Sequence, residues 1–295
     1  MPPLSATATG SRAALDAAGI TESDYLRFCE YFYRRTGIAF GDNKRYFVDK
    51  RLIERMHATG HGSFEPYFLS LRRFDAQAEI ERLTNLLTVN ETYFYREDHQ
   101  FHCLSASILP EVTAGRRHGD RVRIWSMPCS TGEEPYSIAI HLLENWARVD
   151  DFNIEIIASD IDTKVLRSAA EGLYDARSLH RLPRDLVRRY FVTEGADRFR
   201  LIDAIRQSVS FTTLNASDPA AMRAYAGVDV IFCRNMLIYF DDKSRKQVVE
   251  SFYDSLTEGG FICLGHSESM SRISPIFKAR AFAQAIVYQK PGGPR

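Results

Sequence analysis

The sharpest chemical signal in the chain is the run Trp125-Ser126-Met127-Pro128-Cys129-Ser130-Thr131-Gly132-Glu133-Glu134-Pro135, a turn of small residues between a predicted strand and a predicted helix. At the carboxyl end of a strand in an open α/β sheet, such a turn lets a ligand approach the backbone. Gly132 removes the side chain that would block that approach, and Pro135 suits the first turn of a helix. A single glycine does not make the dinucleotide fingerprint, and Glu133 and Glu134 would repel a pyrophosphate, so a ligand carrying positive charge fits better. The plainer alternative is a tight strand-to-helix turn with no ligand.

Asp160 closes the next predicted strand, where a carboxylate can accept hydrogen bonds from both hydroxyls of a ribose; alternatively, Asp160 or Asp162 only caps the helix that follows. In Cys233-Arg234-Asn235-Met236-Leu237-Ile238-Tyr239-Phe240, again at a strand end, the polar pair Arg234 and Asn235 follows apolar strand residues and is expected on a cleft rim. Tyr239 fits a core aromatic with a satisfied hydroxyl equally well. Asn90-Glu91-Thr92-Tyr93-Phe94-Tyr95-Arg96 falls at the expected junction between domains, where clefts form; Arg96 could instead make an ordinary ion pair there.

The elements that must position these residues follow from periodicity. From about Thr21 to Asn90 the apolar residues recur at helical spacing (Tyr25, Phe28, Cys29, Phe32; later Ile80, Leu83, Leu87), which predicts an all-helical domain over 21–90. After a linker at 91–97, residues 98–295 alternate apolar runs with amphipathic segments, the pattern of a parallel sheet covered on both faces. Strands are predicted at Val122 to Met127, Ile154 to Ser159, Val228 to Cys233 and Gly260 to Gly265, and helices at Pro135 to Ala147, Lys164 to Glu171 and Lys243 to Leu256. Between Tyr190 and Phe211 the texture changes around Glu194-Gly195-Ala196-Asp197, which reads as an antiparallel hairpin inside a β-subdomain spanning about 175–212.

Composition narrows the partners. Lys plus Arg and Asp plus Glu both number 38, which argues against non-specific nucleic-acid or membrane binding. The five cysteines form no CxxC pair, so reduced thiols in a reducing compartment are expected, with no disulfide and no metal. No run reaches the roughly 18 apolar residues of a membrane span, and the first residues lack a signal peptide's basic end and apolar run. A disordered tail over 1–20, a cytoplasmic location, no direct membrane insertion and a monomer are the resulting expectations.

Taken in order, NETYFYR, WSxxCSTGEEPYSIA, ASDID, IFCRNxxIYF and GHSES resemble the chemotaxis-receptor glutamate O-methyltransferases of the CheR family, over residues 21 to 290. The resemblance implies an α/β fold: a Rossmann-like S-adenosylmethionine-dependent methyltransferase domain with a small antiparallel β-subdomain, preceded by an all-helical domain. It implies that Asn90, Thr92, Arg96, Glu133, Asp160, Asn215, Ala216, Arg234 and Asn235, with Ser130 and Gly132 of the turn, line the site for S-adenosylmethionine and its product S-adenosylhomocysteine. Arg96 and Tyr239 would be the catalytic pair, Tyr239 lying near the methyl group. Asn215-Ala216-Ser217 departs from the family's usual Asn-Leu-Leu, a change a backbone contact tolerates.

The helix predicted from Asn43 carries five cations, Lys44, Arg45, Lys50, Arg51 and Arg55, against two acids, Asp49 and Glu54. Lys44, Arg51 and Arg55 fall near one stripe, with Phe47, Leu52, Ile53 and Met56 available for the core. A solvated helix face is the plain reading of such a stripe. The resemblance implies instead a face that docks the acidic cytoplasmic methylation helices of methyl-accepting chemotaxis receptors, with Lys44, Arg51 and Arg55 as the docking residues.

The implied reaction needs no general base, because a glutamate with a pKa of about 4.3 is already ionised at pH 7. Arg96 and Tyr239 would position the reacting groups without over-stabilising the ground state. Methylation of RNA or a small molecule, and a non-catalytic S-adenosylmethionine sensor, are the rival readings; the neutral charge and the occupied motif positions argue against them. The short turn at Glu194-Gly195-Ala196-Asp197 predicts independence from a tethering receptor peptide added to the β-subdomain.

Overall fold

The computed structural model describes residues 19–292, and the chain divides into two units, one up to Val89 and one from Asn90. The expected tail lies outside the described residues as far as Ala18; Ile20, at its end, is buried.

The first unit is helical. Thr21 and Asp24 form a reciprocal capping box that opens α1 (Glu22–Thr36), and Gly37 closes it in the left-handed conformation. Tyr25, Phe28 and Phe32 recur every three or four residues and are buried, each aromatic contributing about 1.5–3 kcal/mol of apolar burial. Helices α2 (Arg45–Ala58), α3 (Phe64–Leu71) and α4 (Gln77–Leu87) complete the unit. Of the core candidates on α2, Leu52 and Met56 are buried, together with Val48, whereas Phe47 and Ile53 are only half-buried.

The second unit opens with α5 (His99–Cys103), a π-helical turn (Leu104–Ile108) and α6 (Leu109–Val112). Then follow β1 (Arg121–Ser126), α7 (Glu133–Asn145), β2 (Asn153–Asp160) and α8 (Thr163–Glu171). An excursion comprises β3 (Leu173–Asp175), α9 (Arg184–Tyr190), β4 (Phe191–Glu194), β5 (Arg198–Leu201) and α10 (Asp203–Arg206). The chain returns through β6 (Val209–Thr213), α11 (Pro219–Met222), β7 (Val228–Cys233), α12 (Asp242–Ser255), β8 (Leu256–Leu264), β9 (Lys278–Ala281) and β10 (Ile286–Gln289).

Strand order in the seven-stranded sheet is β6-β2-β1-β7-β8-β10-β9. The first five run parallel, β10 runs antiparallel to β8, and β9 pairs antiparallel with β10. From β1 the chain winds outward one way through β2 and β6, and from β7 the other way through β8. Strand order therefore reverses between β1 and β7, and a crevice opens at their carboxyl ends. Every residue of β7 is buried, as its nearly continuous apolar run, broken only by Asp229, requires of a central strand.

Strands β3, β5 and β4 form a separate antiparallel sheet. The expected β-subdomain over about 175–212 overruns it at one end. Val209–Thr213 pairs with β2 as the edge of the large sheet, because its apolar residues extend the β2 surface from Ile156 to Asp160.

Candidate functional site

The turn after β1 is pinned across both neighbouring strands. The Met127 amide donates to the Phe232 carbonyl and the Cys129 amide to the Ser159 carbonyl, each at 2.9 Å. Ser130 (φ 48°) and Gly132 (φ 92°) take left-handed backbone. A Cβ on Gly132 would lie 2.9 Å from the Ala169 Cβ and 3.1 Å from the Tyr174 hydroxyl. The glycine is thus required by the packing of the turn against its own protein, which corrects the expectation that it clears a path for a ligand.

Asp160 is 3% exposed and holds this turn to the end of β2. Its carboxylate accepts the Ser130 amide and the Asp162 amide, both at 2.9 Å. Burial pushes the carboxyl up to about 6, against the opposing effect of those hydrogen bonds. Capping of α8 falls to Asp162, which accepts the Lys164 and Val165 amides, while the Asn90 side chain donates to its other oxygen at 2.9 Å. Leu214, just before Asn215 and Ala216, donates its amide to the Asp160 carbonyl at 2.9 Å. Asn215 accepts the Ser217 amide at 3.0 Å, and Ala216 is buried.

Glu133, 2% exposed, accepts the Thr131 hydroxyl at 2.6 Å and the Ser178 hydroxyl at 3.2 Å, and burial raises its pKa. The Ser178 carbonyl accepts the Phe94 amide at 2.9 Å, and the Tyr93 ring meets the His180 ring with centroids 4.6 Å apart. The run from Asn90 to Arg96 therefore lies along the loop after β3. Thr92 is half-buried in it. Arg96 donates to the Glu91 carbonyl at 2.6 Å and sits 5.8 Å from the centre of the Tyr93 ring.

Arg234 corrects the expectation of a cleft-rim residue. It is 5% exposed, donates to the Arg96 carbonyl at 2.5 Å, and lies 3.1 Å from Glu134 and 3.9 Å from Glu97. Two carboxylates from distant segments let the guanidinium be buried. Asn235 adopts φ 59°, and its amide donates to Glu268 at 2.8 Å. The same carboxylate accepts the Gly265 amide at 2.9 Å and the Leu237 amide at 2.7 Å. Tyr239 is half-buried; burial raises its phenol, and the Arg96 charge opposes the shift.

In the helical unit the expected docking stripe breaks up. Arg55 is 15% exposed and paired with Glu79 through two hydrogen bonds at 2.9 and 2.7 Å, so it presents no free charge. Arg51 lies 3.8 Å from the centre of the Phe47 ring and donates to the Leu86 carbonyl at 3.4 Å. Lys44 remains exposed.

Ser178 and Glu268 carry the site's architecture without having been singled out by pattern, and Glu134 pairs with Arg234, a role its place in the turn does not signal. Glu268 stands in the GHSES run, where an acid in a glycine-serine turn after a strand is a signal for a carboxylate that collects loop amides. Ser178 gives no local signal, because its partner Glu133 is 45 residues away.

Buried carboxylates at Asp160 and Glu133, together with a buried Ser130 hydroxyl lacking a hydrogen-bond partner among the described residues, suit a ligand with hydroxyl donors and positive charge. The family comparison agrees with that chemistry. The CheR methyltransferase SAM binding domain matches residues 90–286, and the CheR methyltransferase all-alpha domain matches residues 23–88. The chain belongs to the CheR methyltransferase family.

Chemotaxis protein methyltransferase 2 of Vibrio cholerae is 51% identical over 272 residues, covering 92% of this chain and 94% of that protein. Chemotaxis protein methyltransferase 2 of Pseudomonas aeruginosa is 36% identical, covering 88% and 91%. The Salmonella typhimurium chemotaxis protein methyltransferase is 35% identical, covering 88% of each chain. The enzyme is an S-adenosylmethionine-dependent methyltransferase of chemotaxis. Among the described residues no helix is long and apolar enough to cross a membrane.

Proposed function

We propose that the enzyme methylates glutamate side-chain carboxylates on the cytoplasmic helices of chemoreceptors, giving γ-methyl esters. The observation that carries this reading is the hydrogen bond from Arg234 to the Arg96 carbonyl, which ties the Arg96 segment to the loop after β7 that carries Tyr239, at the sheet end that holds Glu133 and Asp160. A cation and a phenol can orient an anionic acceptor, which needs no base at neutral pH. The names of the relatives support a substrate in the chemotaxis apparatus.

Asn90, Thr92, Ser130, Glu133, Asp160, Asn215, Ala216 and Asn235 would hold S-adenosylmethionine, which supplies an electrophilic methyl group on a sulfonium. Asp160 and Glu133 would accept hydrogen bonds from its donors. Arg234 would act through the Arg96 backbone that it holds, and Gly132 through the shape of the turn. Arg96 and Tyr239 would place the acceptor carboxylate and exclude water from it.

Peptide mapping of a receptor cytoplasmic fragment after reaction tests the proposal. Methyl groups are expected on glutamates, with Tyr239→Phe lowering kcat more than cofactor affinity. Methylation confined to other residue types would contradict it.

A further inference from the structure

In the helical unit Glu79 pairs with Arg55, whereas Arg51 keeps its charge on the Phe47 ring and Lys44 is exposed. A second group of free cations lies in the other unit. The segment from Ser178 to Tyr190 buries Leu179, Leu182, Leu186 and Tyr190, which fixes the opposite side toward solvent. On that side Arg181, Arg184 and Arg188 are exposed and have no ion-pair partner among the described residues.

Several other arginines of this unit do find a carboxylate. Arg148 pairs with Asp151, Arg200 with Glu194, Arg206 with Asp203, and Arg189, next in sequence to Arg188, with Glu144. Asp185 is the one acid in the stretch from Ser178 to Tyr190, so the three free arginines leave a local positive excess on a chain of zero formal net charge. Arg184 and Arg188 stand one helical turn apart on α9, about 6 Å along its axis.

The stretch starts at the site and runs along α7 away from it, its far end reaching Glu144 through Arg189. His180, adjacent to Arg181, packs on Tyr93, and Ser178 hydrogen-bonds Glu133. Arg177, 86% exposed, sits only 4.0 Å from Glu91, a loose pair in solvent.

We propose that Arg181, Arg184 and Arg188 form a docking surface for an acidic helical segment of the protein substrate, engaging carboxylates that flank the one being methylated. This rests on the proposed glutamate methylation. A helix with acids three or four residues apart matches the spacing of Arg184 and Arg188. Such a contact accelerates encounter and lowers KM, and it weakens as salt screens it over about 8 Å at 0.15 M.

The test compares wild type, Arg184→Glu/Arg188→Glu and the charge-preserving Arg184→Lys/Arg188→Lys, with methyl-labelled cofactor and one receptor cytoplasmic fragment across a salt series. The Glu pair is expected to raise KM for the fragment about tenfold at low salt and to flatten the salt dependence. Cofactor affinity should be unchanged, and the Lys pair should stay near wild type. Equal KM and equal salt dependence in the Glu pair, with an active wild type, would overturn the docking surface alone. A wild type that methylates no receptor fragment would overturn the glutamate reading and this surface with it.

Discussion

At the residue scale, Asp160 links the site's electrostatics to pH. Its carboxyl is raised to about 6 by burial, so the folded enzyme holds a proton there that the unfolded chain has released above about pH 4. Its contribution to stability is therefore most favourable at low pH and declines as pH rises through about 6. On the proposed contact of Asp160 with the ribose hydroxyls, ligand binding runs the other way, because those hydroxyls bind the ionised carboxylate more strongly. Calorimetry should show cofactor affinity falling as pH drops below about 6, and Asp160→Asn should remove that dependence while weakening binding by more than about 1.5 kcal/mol at pH 7. A second expectation concerns Arg55. Burial alone would raise Glu79, but hydrogen bonds from Arg55 and Tyr67 outweigh it and hold the carboxyl below its usual range. Arg55→Ala should cost about 1–3 kcal/mol in denaturant unfolding, leaving the half-buried Glu79 carboxylate only the Tyr67 hydroxyl and the looser Arg82 pair. An unchanged midpoint would return Arg55 to the solvated surface.

At the element scale, one carboxylate shapes the loop after β7. Glu268 accepts the amides of Asn235, Leu237 and Gly265, tying that loop to the one after β8. Glu268→Gln keeps the shape but replaces one acceptor oxygen with a donor facing an amide. It should lower kcat by about tenfold or more through misplaced Asn235 and Tyr239, with a smaller loss of stability; unchanged kinetics would show that the loop holds its shape without it. The elements themselves were largely legible in the residues. Val228 to Cys233 is a strand with the predicted bounds, since a nearly continuous apolar run has few alternatives in a covered sheet. Val209–Thr213 was not legible as part of the large sheet, because five residues beside a hairpin carry no mark of which sheet they join.

At the scale of the whole molecule, the site is assembled from turns that sequence motifs locate one by one but cannot bring together. Asp160 is a candidate from its strand-end position, whereas Glu133 and Tyr239 become candidates through the family resemblance. The burial of Arg234 follows from neither, because it depends on Glu134 and Glu97 reaching it from other segments. The pairing of Arg55 is hidden for the same reason: Glu79 lies 24 residues away on another helix. Long-range pairing decides whether a charge is free, and periodicity reports only where it sits. The central claim is that this methyltransferase esterifies glutamate carboxylates of chemoreceptors. The most direct measurement is incubation with methyl-labelled cofactor and a panel of receptor cytoplasmic fragments, followed by mild base. Release of the label as methanol from at least one fragment is the predicted result, since a γ-methyl ester hydrolyses under those conditions; label that remains on protein through base treatment, or that enters no fragment, would contradict the account.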